Sequence, residues 1–331
     1  MAIADSLRAG VIGVGSMGQH HARVYEELPD AELVGVADAD ADRANEVAAR
    51  QGVEAYPRDA LLGAVDLASI AVPTEYHYEL ARACIERGVD VLVEKPFVAD
   101  PEQGRTLLEL ADERDVLIGV GHVERYNPAV AAAREVLADA EIVAADARRL
   151  GPPLDRDIAD SAVLDLMIHD IDVILSLVGK EIETVNALGT RENRYIDAQM
   201  GFADSTVASL TASRVTQKKV RELSITAADC WITVDYLDQS VEVHRGSSPE
   251  YIERDGEVRY RHEGIVERPL VESGEPLGRE LAAFLRAVRE RRPPDVSAAD
   301  GLAALQVAER IEELASRSRD RPDTQPTSIH R

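Results

Sequence analysis

The chain has 331 residues, 45% hydrophobic and 30% charged, which is enough for two domains with apolar cores and too apolar for disorder. Its 61 acidic residues outweigh 37 basic ones for a net charge of -24, and this argues against nucleic-acid and anionic-membrane partners, since both need a basic face. The same excess, with only four lysines (Lys95, Lys180, Lys218 and Lys219), points to an intracellular protein adapted to high salt, where carboxylates keep their hydration and salt screens their repulsion.

Along the first 120 residues, short apolar runs alternate with amphipathic stretches. The runs are 9–15, 32–38, 65–73, 89–96 and 116–121, and the helix-like segments between them are 19–28, 41–50, 75–88 and 101–115. Strands that are apolar on both faces and separated by helices predict a parallel, doubly wound sheet. Beyond residue 122 the pattern predicts a helix near 128–138, a strand at 142–150, a loop at 151–157 and a helix from Ala162 to Leu177. From Ile182 to His244 the apolar period is two, as in an antiparallel sheet with one solvated face. Residues 245–274 read as polar and irregular. Leu277, Leu281, Phe284, Leu285 and Val288 mark one helix, Leu302, Leu305, Ile311 and Leu314 mark the last, and a frayed tail is expected from Ser318. The expected fold is α/β: a Rossmann domain over 1–121, then an α+β domain over 122–317 built on a mainly antiparallel open sheet, with the last helix packing back on the first domain. Cys84 and Cys230 form no disulfide framework and read as inert core residues. No apolar run is long enough to span a membrane and the N-terminus has no signal-peptide pattern, so the cytoplasm is the expected location.

The first strand ends in Gly13-Val14-Gly15-Ser16-Met17-Gly18, and Asp38 closes the second strand 20 residues past Gly18. In that context G-x-G-x-x-G reads as a dinucleotide fingerprint: Gly13 for the turn, Gly15 for close approach to a pyrophosphate, Gly18 for helix packing, and helix amides for the anion. Asp38 suits two ribose hydroxyls and repels a 2′-phosphate, favouring NAD over NADP. Ligands of such sheets sit beyond the strands' carboxyl ends, which brings Pro73, Thr74, Glu94 and Lys95 to the cofactor; His77, in the next helical turn, is a cofactor or capping residue. Lys95, one of so few lysines, stands at a strand end against Pro96. Partial burial there lets a lysine hold or relay a hydroxyl proton. Asp165 and His169, spaced i and i+4 on an apolar helix, form an acid–histidine pair. With Asp170 they make only a weak metal set, and no metal is expected. A neutral imidazole suits proton removal during hydride transfer, so His169 is expected as general base, Lys95 as the group polarising the reacting oxygen and Asp165 as a substrate contact, the first two roles being exchangeable.

The segments GVIGVGSMGQHHA, AVPTEYHYELA, VEKPF and DLMIHDID, in this order, resemble the glucose-fructose oxidoreductase / inositol dehydrogenase (Gfo/Idh/MocA) family over nearly the whole chain. The resemblance implies a cis Lys95-Pro96 bond, Lys95 and His169 facing the substrate beside the nicotinamide, and homo-oligomers (dimer or tetramer) through the open C-terminal sheet. Many members carry a glycine pair where this chain has Asp160-Ser161-Ala162. GHVERYNPAV at 121–130 and DLMIHDIDVILSLVG at 165–179 resemble the members that oxidise the 3-hydroxyl of UDP-N-acetylglucosamine. His122, Arg125, Tyr126 and Asn127 are then substrate candidates, with Arg125 either toward the diphosphate or in a structural ion pair, and Arg148, Arg149 and Arg156 as a local basic patch. An inositol, glucose or xylose dehydrogenase and a non-catalytic NAD sensor are the alternatives; the sensor reading does not account for Lys95, Asp165 and His169 standing together.

The salt expectation is tested by thermal unfolding: the melting temperature rises as KCl is raised from 0.1 M toward molar concentrations, on the order of the range over which the screening length shrinks from about 10 Å to 3 Å.

Overall fold

A computed structural model describes residues 6–153, 161–190, 193–246, 250–254, 257–261 and 263–317. The expected tail from Ser318, Arg156, Asp160 and most of the 151–157 loop lie outside the described residues. The chain divides into two compact units, Met1–Asn127 with Gly274–Gln306, and Pro128–Ser273 with Val307–Arg331.

The first unit holds β1 (Leu7–Ile12), α1 (Gly18–Glu27), β2 (Ala31–Ala37), α2 (Ala41–Gln51), β3 (Glu54–Ala55), α3 (Arg58–Leu62), β4 (Leu67–Ile70), α4 (His77–Glu86), β5 (Asp90–Glu94), α5 (Pro101–Arg114) and β6 (Ile118–Gly121). Its strands are parallel in the order β3-β2-β1-β4-β5-β6, a doubly wound sheet whose strand order reverses beside β1. β4 and β5 are buried at every position, the cause of their unbroken apolar reading. The Asp40 carboxylate caps α2, accepting from the amides of Asp42 and Arg43, and Asp100 caps α5 ahead of Pro101. β3 and α3 are absent from the sequence reading; two and five residues are too few to show a period.

The late segment Gly274–Gln306 completes this unit. It supplies α8 (Pro276–Glu290) and the first part of α9 (Ala298–Arg317). The five apolar residues read from α8 are all buried, in one core with Val11, Tyr25 and Val36. Full burial of a side chain such as Leu281 or Phe284 contributes about 1.5–3 kcal/mol each. An Arg23–Glu275 ion pair ties the start of α8 to α1. Cys84 is buried here, which pushes its thiol up to about 12 and leaves it unreactive.

The second unit holds α6 (Pro128–Val136), β7 (Ile142–Leu150), a π-helical turn (Val163–Met167), α7 (Ile168–Val178), β8 (Ile182–Gly189), β9 (Tyr195–Phe202), β10 (Val207–Ser213), β11 (Val220–Ala227), β12 (Cys230–Asp235), β13 (Ser240–Gly246), β14 (Glu250–Arg254), β15 (Glu257–Arg261) and β16 (Gly264–Glu267). The eight-stranded sheet runs β16-β13-β12-β11-β7-β10-β9-β8, with β7 and β10 parallel and every other pair antiparallel. Residues 245–274 are therefore not irregular: they include β16 and the hairpin β14–β15. Their charge-rich sequences hid them, although Asp255-Gly256 is a strong hairpin dipeptide.

At the end of β1, Gly13 adopts φ +84° and a Cβ on Gly18 would lie 1.7 Å from the Gly13 carbonyl oxygen. Gly18→Ala therefore forces α1 off the strand end. The expected loss is about 3 kcal/mol or more, measured by urea unfolding, together with loss of NADH binding measured by fluorescence titration.

Candidate functional site

A cavity of about 1020 Å³ opens over the carboxyl ends of the first sheet. Its wall includes Gly13, Gly15, Ser16 and Met17 after β1, Asp38 after β2, Pro73 after β4, and Glu94 and Lys95 at the end of β5. Short parallel strands ending at one level bring together residues spread over 82 positions of sequence. α1 begins at the glycine turn and carries no acid in its first turn, so its N-terminal amides face the space without a competing anion. Gly13 and Gly18 are required by the protein itself, since side chains there would strike backbone. Gly15 is different: a Cβ there meets nothing within 4 Å, so the space beside it is a cradle. A dinucleotide pyrophosphate fits that cradle.

The Asp38 carboxylate is aimed by two backbone amides, Val14 N–H to Oδ2 at 2.8 Å and Asp40 N–H to Oδ1 at 2.9 Å. Arg43, also on the cavity wall, stands 3.5 Å from Asp38 and 3.0 Å from Asp40. It was not among the residues singled out from sequence. Asp38 and Arg43 thus share one stretch of the cavity wall.

Three expected cofactor residues, Gly18, Thr74 and His77, are not on the cavity wall. Among the described residues the cavity wall includes Pro73 but not Thr74, which opens a short 3₁₀ turn (Thr74–Tyr76). His77 is 1% exposed, with Nδ1 2.9 Å from the Pro96 carbonyl oxygen and Nε2 2.9 Å from that of Val72. It fastens the two strand-end loops together and does not line the cavity. Gly18 likewise packs behind the turn.

Lys95 is half-buried on the wall and its bond to Pro96 is cis, as expected. Glu94 precedes it, buried. Burial pushes the Glu94 carboxyl up, but the hydrogen bond from His21, the His21 charge and the Lys95 charge together hold it below the usual carboxylate range. The His21 Nε2 lies 2.9 Å from Glu94 Oε1, and since an ionised carboxylate only accepts, Nε2 carries the proton. Sequence reading missed His21.

After β6 the segment bends into a 3₁₀ turn (Val123–Tyr126). His122 is buried, and Asn127, also buried, donates from Nδ2 to Glu124 at 3.1 Å. Arg125 is not held out toward a diphosphate. Its side chain is 11% exposed, 3.5 Å from Asp300, and donates to the Asp295 carbonyl at 3.4 Å. Burial raises the Asp300 carboxyl, yet Ser297 and Arg125 bring it to a net lowering, so the Arg125–Asp300 pair is ionised. Tyr126 is half-buried in the same turn.

In the second unit, Asp165 lies on the π-helical turn and His169 on the first turn of α7. The Ile168 amide reaches back to the Val163 carbonyl, the i→i−5 bond of a π-turn, so the expected regular helical face is locally widened. Ser161 explains the missing glycines: its Oγ accepts from the amides of Val163 and Leu164 at 3.2 and 3.1 Å, a side-chain cap in place of backbone freedom. Asp165 accepts from Arg214 Nη2 at 2.6 Å, a partner that sequence reading did not name. His169 is half-buried, and its neighbour Asp170 is held by Arg149 through two 2.8 Å bonds, both side chains buried. The Arg149 guanidinium also lies 5.1 Å from the centre of the Tyr236 ring. Arg149 thus anchors α7 to β7 and is no part of a basic patch; Arg148 is exposed, 3.2 Å from Asp146. Among the described residues no group of three His, Cys, Asp or Glu side chains is arranged to hold a metal, and no helix is long and apolar enough to cross a membrane.

Two family models match the chain: an oxidoreductase family with an NAD-binding Rossmann fold over residues 7–122, and the GFO/IDH/MocA C-terminal domain over 132–233. The UDP-N-acetylglucosamine 3-dehydrogenase of Acidithiobacillus ferrooxidans is 35% identical over 94% of this chain and 99% of that protein. This chain belongs to the Gfo/Idh/MocA oxidoreductase family. The solved structure of that Acidithiobacillus dehydrogenase superposes with a TM-score of 0.87 at 32% identity, covering 96% of this chain and 100% of the other. The inositol 2-dehydrogenase of Rhizobium meliloti is 27% identical over 92% of this chain and 95% of its own. As a Gfo/Idh/MocA member the chain is an NAD-dependent oxidoreductase.

Neighbouring arginines on β7 separate buried from exposed pairing. Arg149→Met strands a buried Asp170 and is expected to cost about 3–5 kcal/mol, whereas Arg148→Met costs about 0–1 kcal/mol; urea unfolding of both variants measures the contrast.

Proposed function

We propose that this dehydrogenase oxidises the 3-hydroxyl of UDP-N-acetylglucosamine, or of a close UDP-sugar, to the ketone. The observation that carries this reading is near-complete coverage, 94% and 99%, at 35% identity to a protein of that name, joined to a glycine-cradled cavity with Lys95 on its wall. Gly13, Gly15, Ser16, Met17, Asp38 and Pro73 would hold NAD, which when bound supplies the hydride acceptor, and Glu94 and Lys95 border the same cavity. Lys95 holds and polarises the reacting oxygen. His169 takes the hydroxyl proton, a task suited to an imidazole near neutral pH. Arg214 orients Asp165, which contacts the sugar.

A second copy of the chain is the proposed occupant of the second sheet's outward face, where Trp231 (44% exposed) and Val207 (46%) alternate with buried residues.

The test is NADH formation followed by absorbance in KCl, with UDP-N-acetylglucosamine, myo-inositol, glucose and xylose supplied separately. NADH from the UDP-sugar alone is expected. NADH from a free polyol or sugar moves the enzyme to the inositol-like reading, and NAD binding without turnover on any of the four moves it to a sensor. Lys95→Met and His169→Ala are each expected to lower kcat at least about 10²-fold, within the range of lost acid–base catalysis, with the NAD Kd nearly unchanged by calorimetry.

A further inference from the structure

A buried carboxylate stands directly before Lys95, and three separate elements are shaped around it. From α1, three residues past Gly18, His21 donates Nε2–H to Glu94 Oε1 at 2.9 Å, and its side chain is 1% exposed. From the chain itself, the Lys95 backbone N–H donates to Glu94 Oε2 at 3.3 Å. From β6, Gly121 leaves the room: a Cβ there would stand 3.1 Å from both Cδ and Oε2 of Glu94. Each oxygen of one carboxylate is thus tied to a different element, one to the helix that starts at the glycine turn and one to the backbone that carries Lys95.

We propose that His21 and Glu94 act as positioning residues, a bracket that fixes Lys95 relative to the cofactor-binding turn. The inference rests on the role of Lys95 given above. A carboxylate is needed because it accepts on both oxygens. Its amide isostere keeps one acceptor and turns an NH₂ toward the second donor, so Glu94→Gln either breaks one tie or drives the His21 proton onto Nδ1, a buried atom with no hydrogen-bond partner among the described residues. Misplacing a catalytic group by about 1 Å costs on the order of 10²-fold in rate even when the altered residue is remote from the chemistry.

The experiment is a double-mutant cycle with NAD and UDP-N-acetylglucosamine, accompanied by calorimetric NAD titration and thermal unfolding of each variant. Glu94→Gln is expected to lower kcat about 10- to 100-fold while the NAD Kd and the KM for the sugar nucleotide stay within about threefold. In a Lys95→Met background the same substitution has almost no further effect, because the bracket acts through Lys95. His21→Leu reproduces the defect, and His21→Gln, which restores a donor at similar reach, recovers part of it. Gly121→Ala, which crowds the carboxylate without removing any polar group, gives a milder loss of kcat in a protein whose NAD Kd is unchanged. If Glu94→Gln loses its full factor again in the Lys95→Met background, or weakens NAD binding as much as turnover, the bracket is overturned and Glu94 acts directly on a ligand. If Lys95→Met itself keeps full turnover, the failure belongs to the assignment of Lys95 and not to the bracket.

Discussion

The Gly13 carbonyl and the Gly18 α-carbon approach so closely that no side chain fits between them, and the first unit is organised around that contact. It sets where α1 starts, so it sets where the helix amides meet the cavity. It also sets where His21 falls one turn later, against Glu94. The anion cradle and the anchoring of the Lys95 segment are therefore consequences of one steric fact. The other strand ends are secured to the same frame by side chains, His77 across Val72 and Pro96, and Asp38 across Val14 and Asp40.

Electrostatics follow the same local logic. A chain with 24 more negative than positive charges can hold an anionic cofactor because the backbone amides at the start of α1, not net charge, would meet its pyrophosphate. Most arginines are spent on neighbouring carboxylates. Exposed pairs of this kind contribute little individually, but the buried ones decide geometry: Arg149 with Asp170 fixes the helix that carries His169, and Arg214 fixes Asp165.

What was legible in the sequence was whatever depends on local period or on a motif with its own context. β4 and β5 showed because both faces are buried, α8 because its buried face recurs at helical spacing, and Asp38 because its distance from the glycine turn is set by one βαβ unit. What was hidden depends on pairing across sequence. His21 meets Glu94 73 residues away, Arg214 meets Asp165 49 away, and the ion-pair alternative for Arg125 had no visible partner because Asp300 belongs to the distant α9. Arg149 was misread for a different reason, since the signal was there: it alternates with Ala145 and Ala147 on the inward face of β7, which marks a buried, paired arginine and not a ligand contact. The π-turn before α7 gave no composition signal, because it differs from an α-turn by one hydrogen-bond step.

The discontinuity of the first unit has a consequence for synthesis. Leu281, Phe284 and Val288 belong to the same core as Val11, Tyr25 and Val36, yet more than 240 residues are translated between the two groups. Domains generally fold as units as they leave the ribosome. Here the nascent nucleotide-binding half emerges early but keeps an apolar face uncovered until α8 has cleared the exit tunnel. At about 5–20 residues per second, that interval is on the order of ten to fifty seconds, during which the first unit waits for α8, and the second, which also takes Val307–Arg331, is completed later still.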